Sequence, residues 1–114
     1  MITPTELFAL LSDQTRLRCL LLLIKEKELC VCEFCKILNS IQPKISRHLA
    51  YLRKSGLVLD ERKEQWVYYK LNKDLSQWVK KLLIDIFKEL NNKDPFKSDF
   101  EKISKLKKQQ LCKS

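Results

Sequence analysis

Three cysteines fall within six residues of this chain, Cys30, Cys32 and Cys35, in the segment Glu-Leu-Cys-Val-Cys-Glu-Phe-Cys at 28–35. A single cysteine packed among apolar side chains is common, but core packing does not account for three at this spacing. Thiolates are the ligands that soft metal and metalloid ions prefer. The segment therefore predicts a binding site for a soft ion.

The spacing of these cysteines limits how they can share an ion. On a regular helix Cys32 and Cys35 lie about 60° apart on one face, whereas Cys30 lies about 200° from Cys32. Either Cys30 precedes the helix in extended chain, or the ion unwinds the first turn. We favour the second, in which binding distorts this end of the helix. Thiols at a helix N-terminus should also ionise more readily, although Glu33 opposes this.

The composition indicates one mainly helical domain with a polyanionic partner. The chain has 114 residues, one glycine, three prolines and a formal net charge of +9, which favours helices and a nucleic-acid partner. No stretch approaches the roughly 18 apolar residues of a membrane span. Five cysteines, an odd number, indicate free or metal-bound thiols in a reducing cytoplasm. An enzyme is not expected, because the single histidine comes with no phosphate-binding loop and no facing carboxylates.

The hydrophobic pattern predicts several helices in the first half of the chain. Thr3-Pro4-Thr5-Glu6 has the residues of a capping box, and the apolar run 19–24 predicts a buried helix with Cys19 as a core residue. Two further helices are expected over about 31–38 and from about 42 to Gly56. This only glycine suits a left-handed helix cap.

The second half predicts a β-hairpin followed by a long helix. Residues 57–59 and 65–71 read as two strands joined by a polar turn at 60–64. An unbroken apolar stripe then predicts a helix over about 75–91. Its eight large apolar side chains, with the N-terminal helix, exceed what so small a monomer can cover, so we expect a homodimer. Residues 93–114 form a basic tail with helical periodicity.

A helix, a short turn, a second helix and a hairpin, in that order, predict a winged helix-turn-helix that binds DNA. We expect Arg47 to contact guanine and Gln42 adenine, with Lys44 and Ser46 on phosphate and Arg62 and Lys63 at the hairpin tip. The full set of expected DNA contacts is Gln42, Lys44, Ser46, Arg47, His48, Tyr51, Arg62 and Lys63, with His48 as a DNA-facing donor. Residues 1–92 would then form the DNA-binding and dimerisation domain.

Two motifs resemble the arsenical-resistance repressor (ArsR/SmtB) family of winged-helix metal sensors. They are Asp13-x-Thr15-Arg16-Leu17-Arg18 and Ser46-Arg47-His48-Leu49-x-x-Leu52-Arg53-x-x-Gly56-Leu57-Val58. The resemblance covers residues 5 to about 90. The segment 28–35 resembles the arsenite-binding signature of the arsenic-sensing branch, and this triple-cysteine pattern is the specific part.

The resemblance implies a homodimeric repressor that leaves its operator DNA when As(III) or Sb(III) binds Cys30, Cys32 and Cys35. Zinc-sensing relatives carry histidine ligands on the last long helix, and residues 75–91 contain no histidine. Cadmium- and lead-sensing relatives carry cysteines on an N-terminal arm, and no cysteine precedes Cys19 here. Both departures favour arsenic.

Two other functions fit the same cysteines. One is a thiol redox switch, in which oxidation of Cys32 with a neighbour abolishes DNA binding. The other is a winged-helix protein with zinc or cadmium at the cysteines, although these ions call for a fourth ligand. Cys19 and Cys112 are the available thiols, and neither has the spacing of a zinc ribbon or knuckle.

Overall fold

The structure, a computed structural model, describes residues 2–109, with only the backbone described for Gln109. Cys112 and the end of the basic tail lie outside the described residues. The helices and strands in chain order are α1 Pro4–Leu11, α2 Gln14–Lys25, β1 Leu29–Cys30, α3 Val31–Leu38, α4 Gln42–Ser55, β2 Val58–Lys63, β3 Trp66–Leu71, α5 Gln77–Leu90 and α6 Phe96–Gln109.

Local capping explains where several of these helices begin and end. Thr3 and Glu6 form the predicted capping box, with the Thr3 N–H donating to Glu6 Oε1 at 2.8 Å and the Glu6 N–H to Thr3 Oγ1 at 3.2 Å. Asp13 caps α2 by accepting from the Arg16 N–H at 3.0 Å. Gly56 ends α4 at φ +89°, in the left-handed conformation that the sequence predicted.

The predicted two-stranded hairpin is part of a three-stranded antiparallel sheet with the order β1-β3-β2. The extra strand pairs Leu29 with Tyr69 and Cys30 with Tyr68. The predicted hairpin is confirmed as β2 and β3, but its turn was wrongly placed at 60–64, because residues 60–63 pair with β3 and the chain reverses at 64–65. These residues are polar because β2 is exposed beyond Val58, not because they form a turn.

The main hydrophobic core is centred on α2, and a second small cluster contains Cys30 and Tyr68 with Cys32 and Trp66 packed against them. Residues 19–23 are buried, and Cys19 is a core residue as predicted. The helix α6 belongs to the same core, because Phe96, Phe100, Ile103 and Leu106 are buried and α6 packs against α2 and α3. The C-terminal part of the chain therefore covers the helix that carries the thiols.

Buried charge fixes α6 in place. Asp99 is 1% exposed and accepts two hydrogen bonds from the Arg18 guanidinium of α2, both at 2.8 Å. A paired arrangement of this kind gives directional as well as electrostatic attachment. Among residues 2–109, no helix is long and apolar enough to cross a membrane.

Candidate thiol site and nucleic-acid interface

Cys30 and Cys32 lie side by side where the sheet meets α3. Cys30 is the N-cap of α3, with extended backbone at φ −87° and ψ 164°. Its Sγ lies 3.4 Å from Cys32 Sγ. Of the two alternatives above, the structure thus has Cys30 before the helix in extended chain. The 200° separation expected on a regular helix does not arise, so no unwinding is needed to bring these two sulfurs together.

The third sulfur belongs to the same concavity but does not complete a cluster. The concavity has a volume of about 390 Å³, and its lining includes Cys30, Cys32, Cys35, Lys36, Gln42 and Trp66. Within the described part of the chain, no three cysteine, histidine or acidic side chains are already placed to hold one ion. Cys32 is also disulfide-bonded in this structure. A three-sulfur site therefore requires Cys32 in its reduced form.

The thiols of Cys30 and Cys35 ionise less readily than the sequence predicted. Burial raises the pKa of Cys30, and the backbone N–H of Glu33 offsets this only in part. Burial raises the pKa of Cys35 as well. For Cys30 and Cys35, desolvation of the thiolate therefore outweighs the expected activation by the helix N-terminus. Burial raises the pKa of Cys19 to about 12, as befits an inert core thiol.

Glu33 fixes the start of α3, a role that was not among the sequence predictions. The Glu33 residue is only 2% exposed. Its Oε1 accepts from the backbone N–H of Cys30 at 2.9 Å, and its Oε2 lies 3.0 Å from Lys107 Nζ of α6. An acidic residue three positions after a helix cap is a recognised local signal, so Glu33 was predictable. Lys107 was not, because its contact is distant in sequence.

The helix α4 presents a polar, basic face outward. Ile45, Leu49 and Leu52 are fully buried and attach the helix to the core. The opposite side carries most of the predicted DNA-contacting residues: Gln42, Lys44, Arg47 and Tyr51 are exposed, and Ser46 is half-buried.

His48 does not face outward, and this part of the prediction was wrong. His48 is only 8% exposed, because its side chain lies beside the apolar stripe of α4. Its Nδ1 lies 3.7 Å from Asp13 Oδ2 and 3.4 Å from Arg16 Nη1. Burial lowers the pKa of His48, and Asp13 opposes the shift. The ring therefore joins the start of α2 to α4.

The two predicted hairpin residues differ in their surroundings. Arg62 is exposed near the end of β2. Lys63 pairs with Glu28 at 2.9 Å and lies 5.2 Å from the centre of the Tyr68 ring. Because Glu28 precedes the thiols and Tyr68 pairs with Cys30, Lys63 connects the hairpin to the thiol segment.

A short helix pair with an exposed basic second helix, followed by a β-hairpin, defines the class of winged helix-turn-helix DNA-binding proteins. Residues 13–59 match the family model described as "Bacterial regulatory protein, arsR family". The chain therefore belongs to the arsR family of bacterial regulatory proteins, as its motifs suggested. Members of this family are DNA-binding transcriptional regulators and not enzymes.

Individual relatives agree with this assignment. The chain is 57% identical over 83 residues to "Arsenic resistance transcriptional regulator ArsR2" of Pseudomonas putida, covering 73% of this chain and 72% of the relative. It is 50% identical over 80 residues to "Arsenical resistance operon repressor" of Escherichia coli, covering 70% of this chain and 68% of the relative. Among solved structures, HlyU from Vibrio cholerae superposes with a TM-score of 0.67 at 31% identity, covering 75% of this chain and 89% of HlyU.

Proposed function

We propose that this protein is a homodimeric, operator-binding repressor of a metalloid-resistance operon in the reducing cytoplasm. As(III) or Sb(III), bound by the reduced thiols of Cys30, Cys32 and Cys35, would release it from DNA. The observation that carries the proposal is the 3.4 Å approach of Cys30 and Cys32 Sγ at the start of α3, the first helix of the DNA-binding motif. The names of the arsenic-resistance relatives support the choice of ion.

The donor set fits a trivalent metalloid. Such an ion is soft, keeps a lone pair and takes three thiolates in a pyramid, whereas zinc sites of this kind are closed by a fourth ligand. When arsenous acid binds, three S–H and three As–OH bonds are exchanged for three As–S bonds and three molecules of water. The protons released by the thiols leave with the hydroxyl groups, so the high pKa of the buried thiols does not prevent binding.

Two contacts lead from the thiols to the DNA-binding elements. The helix α3 packs directly against α4, and Cys30 pairs with Tyr68 in β3 of the hairpin. We infer that sharing one ion among the three sulfurs draws Cys35 towards Cys30 and Cys32, and so favours a different position of α3. A ligand shifts such an equilibrium by its preference between the two states. The ion-bound position of α3 would turn α4 and the hairpin away from DNA.

On DNA, we assign base contacts to Gln42 and Arg47, and backbone contacts to Lys44, Ser46, Tyr51, Arg62 and Lys63. His48 would act through its contacts with Asp13 and Arg16, orienting α4 without touching DNA. The dimer would form through α1 and α5, whose exposed apolar side chains include Phe8, Trp78 and Ile84.

The direct test is an arsenite titration of operator binding followed by fluorescence anisotropy, with a non-thiol reductant present. We expect the native chain to release DNA, and Cys30→Ser, Cys32→Ser and Cys35→Ser to remain bound. Cys19→Ala serves as the matched control, because Cys19 is buried in the core and does not line the concavity. Release by all three serine variants at the native arsenite concentration would place the site elsewhere.

A thiol redox switch is the second candidate, and the sulfur geometry favours it over the others. Cys32 Sγ lies 3.4 Å from Cys30 Sγ, close enough for a small movement to join the two sulfurs once Cys32 is reduced. Peroxide would oxidise the thiols to a disulfide and be reduced to water. DNA release by peroxide, together with no response to arsenite under reducing conditions, would select this function.

A further inference from the structure

A cluster of lysines lies on the surface formed by α3 and α6, outside the predicted DNA-contacting residues. Lys36 of α3 and Lys102 and Lys105 of α6 line a concavity of about 230 Å³ together with Ile37 and Leu106. All three lysines are exposed. We call these three residues the α6 lysine cluster.

The charge of this cluster is not neutralised within the protein. Lys102 Nζ donates to the backbone carbonyl of Ile37 at 3.4 Å, at the negative end of α3. Lys36 and Lys105 form no ion pair with any acidic residue in the range 2–109. The nearby Lys107, by contrast, forms an ion pair with Glu33. Three cations around one concavity repel one another, and a polyanion relieves that repulsion.

The cluster is continuous with the DNA-binding face of α4. Lys36 also lines the larger concavity beside the thiols, and Gln42, the first residue of α4, lines that concavity too. Lys36 therefore links the lysines of α6 to the N-terminus of α4, where base contacts are expected. The cluster thus extends the surface that carries the chain's DNA-binding charge.

We infer that the α6 lysine cluster binds the phosphate backbone of operator DNA beside the segment that α4 contacts. This inference rests on the proposed DNA-binding role. The C-terminal helix would then lengthen the stretch of DNA held by each protomer. Backbone contacts of this kind add affinity and fix orientation without reading sequence.

The test compares two triple variants on two lengths of duplex. The probe is an operator selected by the native chain from a random-sequence pool, made at minimal length and with about 10 base pairs, one helical turn, added at each end. Lys36→Gln/Lys102→Gln/Lys105→Gln removes the cluster. Lys73→Gln/Lys81→Gln/Lys97→Gln removes the same charge from exposed positions in the β3–α5 loop, on α5 and at the other end of α6.

We expect the cluster variant to lose affinity mainly on the extended duplex. The slope of log affinity against log salt should become shallower by about 0.9 for each phosphate that the variant no longer neutralises. The control variant should lose less affinity, and its loss should not depend on duplex length. Circular dichroism of each variant checks that the fold is kept.

Equal behaviour of the two variants, or an equal loss on both duplex lengths, would overturn the inference while leaving the repressor proposal intact. Failure of the native chain to select any duplex would overturn both. The readout needs no metalloid, so the outcome does not depend on the thiols.

Discussion

Glu33 and Lys107 form an ion pair at 3.0 Å that joins the helix carrying the thiols to the C-terminal helix. The carboxylate is almost completely buried, and the lysine side chain is 26% exposed. Because Glu33 also accepts from the Cys30 N–H, this one side chain holds α6, the start of α3 and the first cysteine together.

Replacing Lys107 by alanine should destabilise the fold by about 1–3 kcal/mol, since a buried carboxylate would keep only one of its two partners. Urea unfolding gives the free-energy difference. Lys105→Ala is the matched control, because Lys105 is exposed and lies two residues away. We expect its free energy of unfolding to change by no more than about 0.5 kcal/mol. Equal stability of the two variants would show that the ion pair contributes nothing measurable.

Stability should fall as the pH drops from about 7 through the ordinary histidine pKa of about 6.5. Burial lowers the pKa of His48 in the folded chain, so the unfolded chain binds more protons in this window and is favoured. The decline in stability should stop below the folded pKa. Arg16, Lys44 and Arg47 also disfavour the protonated ring, and Asp13 favours it.

Urea unfolding of the native chain and of His48→Gln over this pH range measures the effect. His48 is the only histidine, so the variant should show a clearly shallower dependence. If both proteins lose stability in parallel, the pH dependence originates in other groups.

Gly56→Ala should cost about 1–2 kcal/mol, because φ is +89° at this position and a Cβ disfavours left-handed backbone. No neighbouring atom lies within 4 Å of the added Cβ, so the cost is conformational rather than steric. Gly56→Asn should cost less, since asparagine tolerates this region best among residues with a side chain. Thermal or urea unfolding measures the stability of both variants. A larger loss of stability in Gly56→Asn than in Gly56→Ala would contradict this explanation.

Ile84→Lys should weaken self-association at least about tenfold, because a buried unpaired charge at an interface costs more than about 1.4 kcal/mol. Ile84 lies on α5 and is 48% exposed in the single chain. The control is Ile41→Lys, because Ile41 is 69% exposed but lies at the start of α4, outside the proposed dimer helices. Sedimentation velocity over a concentration series checks both. A native chain that stays monomeric at micromolar concentration would remove the basis for this prediction.

Features fixed by neighbouring residues were predictable from the sequence. The Thr3 capping box, the cap at Gly56 and the core role of Cys19 all follow from local patterns. The extended position of Cys30 was the less favoured of the two alternatives, because helical periodicity carries no information about strand pairing. The choice depends on pairing with Tyr68, which lies 38 residues further along the chain.

Features that depend on distant contacts were missed or misread. His48 turns inward because Asp13 and Arg16 of another helix receive it, and nothing within α4 indicates this. The composition of residues 60–64 predicts a turn, because an exposed strand and a polar loop have similar compositions. Lys107 could not be paired with Glu33 before the packing of α6 was known.

The dual position of Cys30, last residue of β1 and cap of α3, limits where this chain tolerates changes in length. Successive side chains of a strand point to opposite faces of the sheet. One residue inserted between Leu29 and Val31 would therefore either point the Cys30 sulfur to the opposite face or break the pairing of Cys30 with Tyr68. An insertion at residues 26–27, in the bend after α2, would only lengthen a connection. In descendants of this sequence, insertions and deletions should therefore accumulate before Glu28 and be rare from there to Cys35.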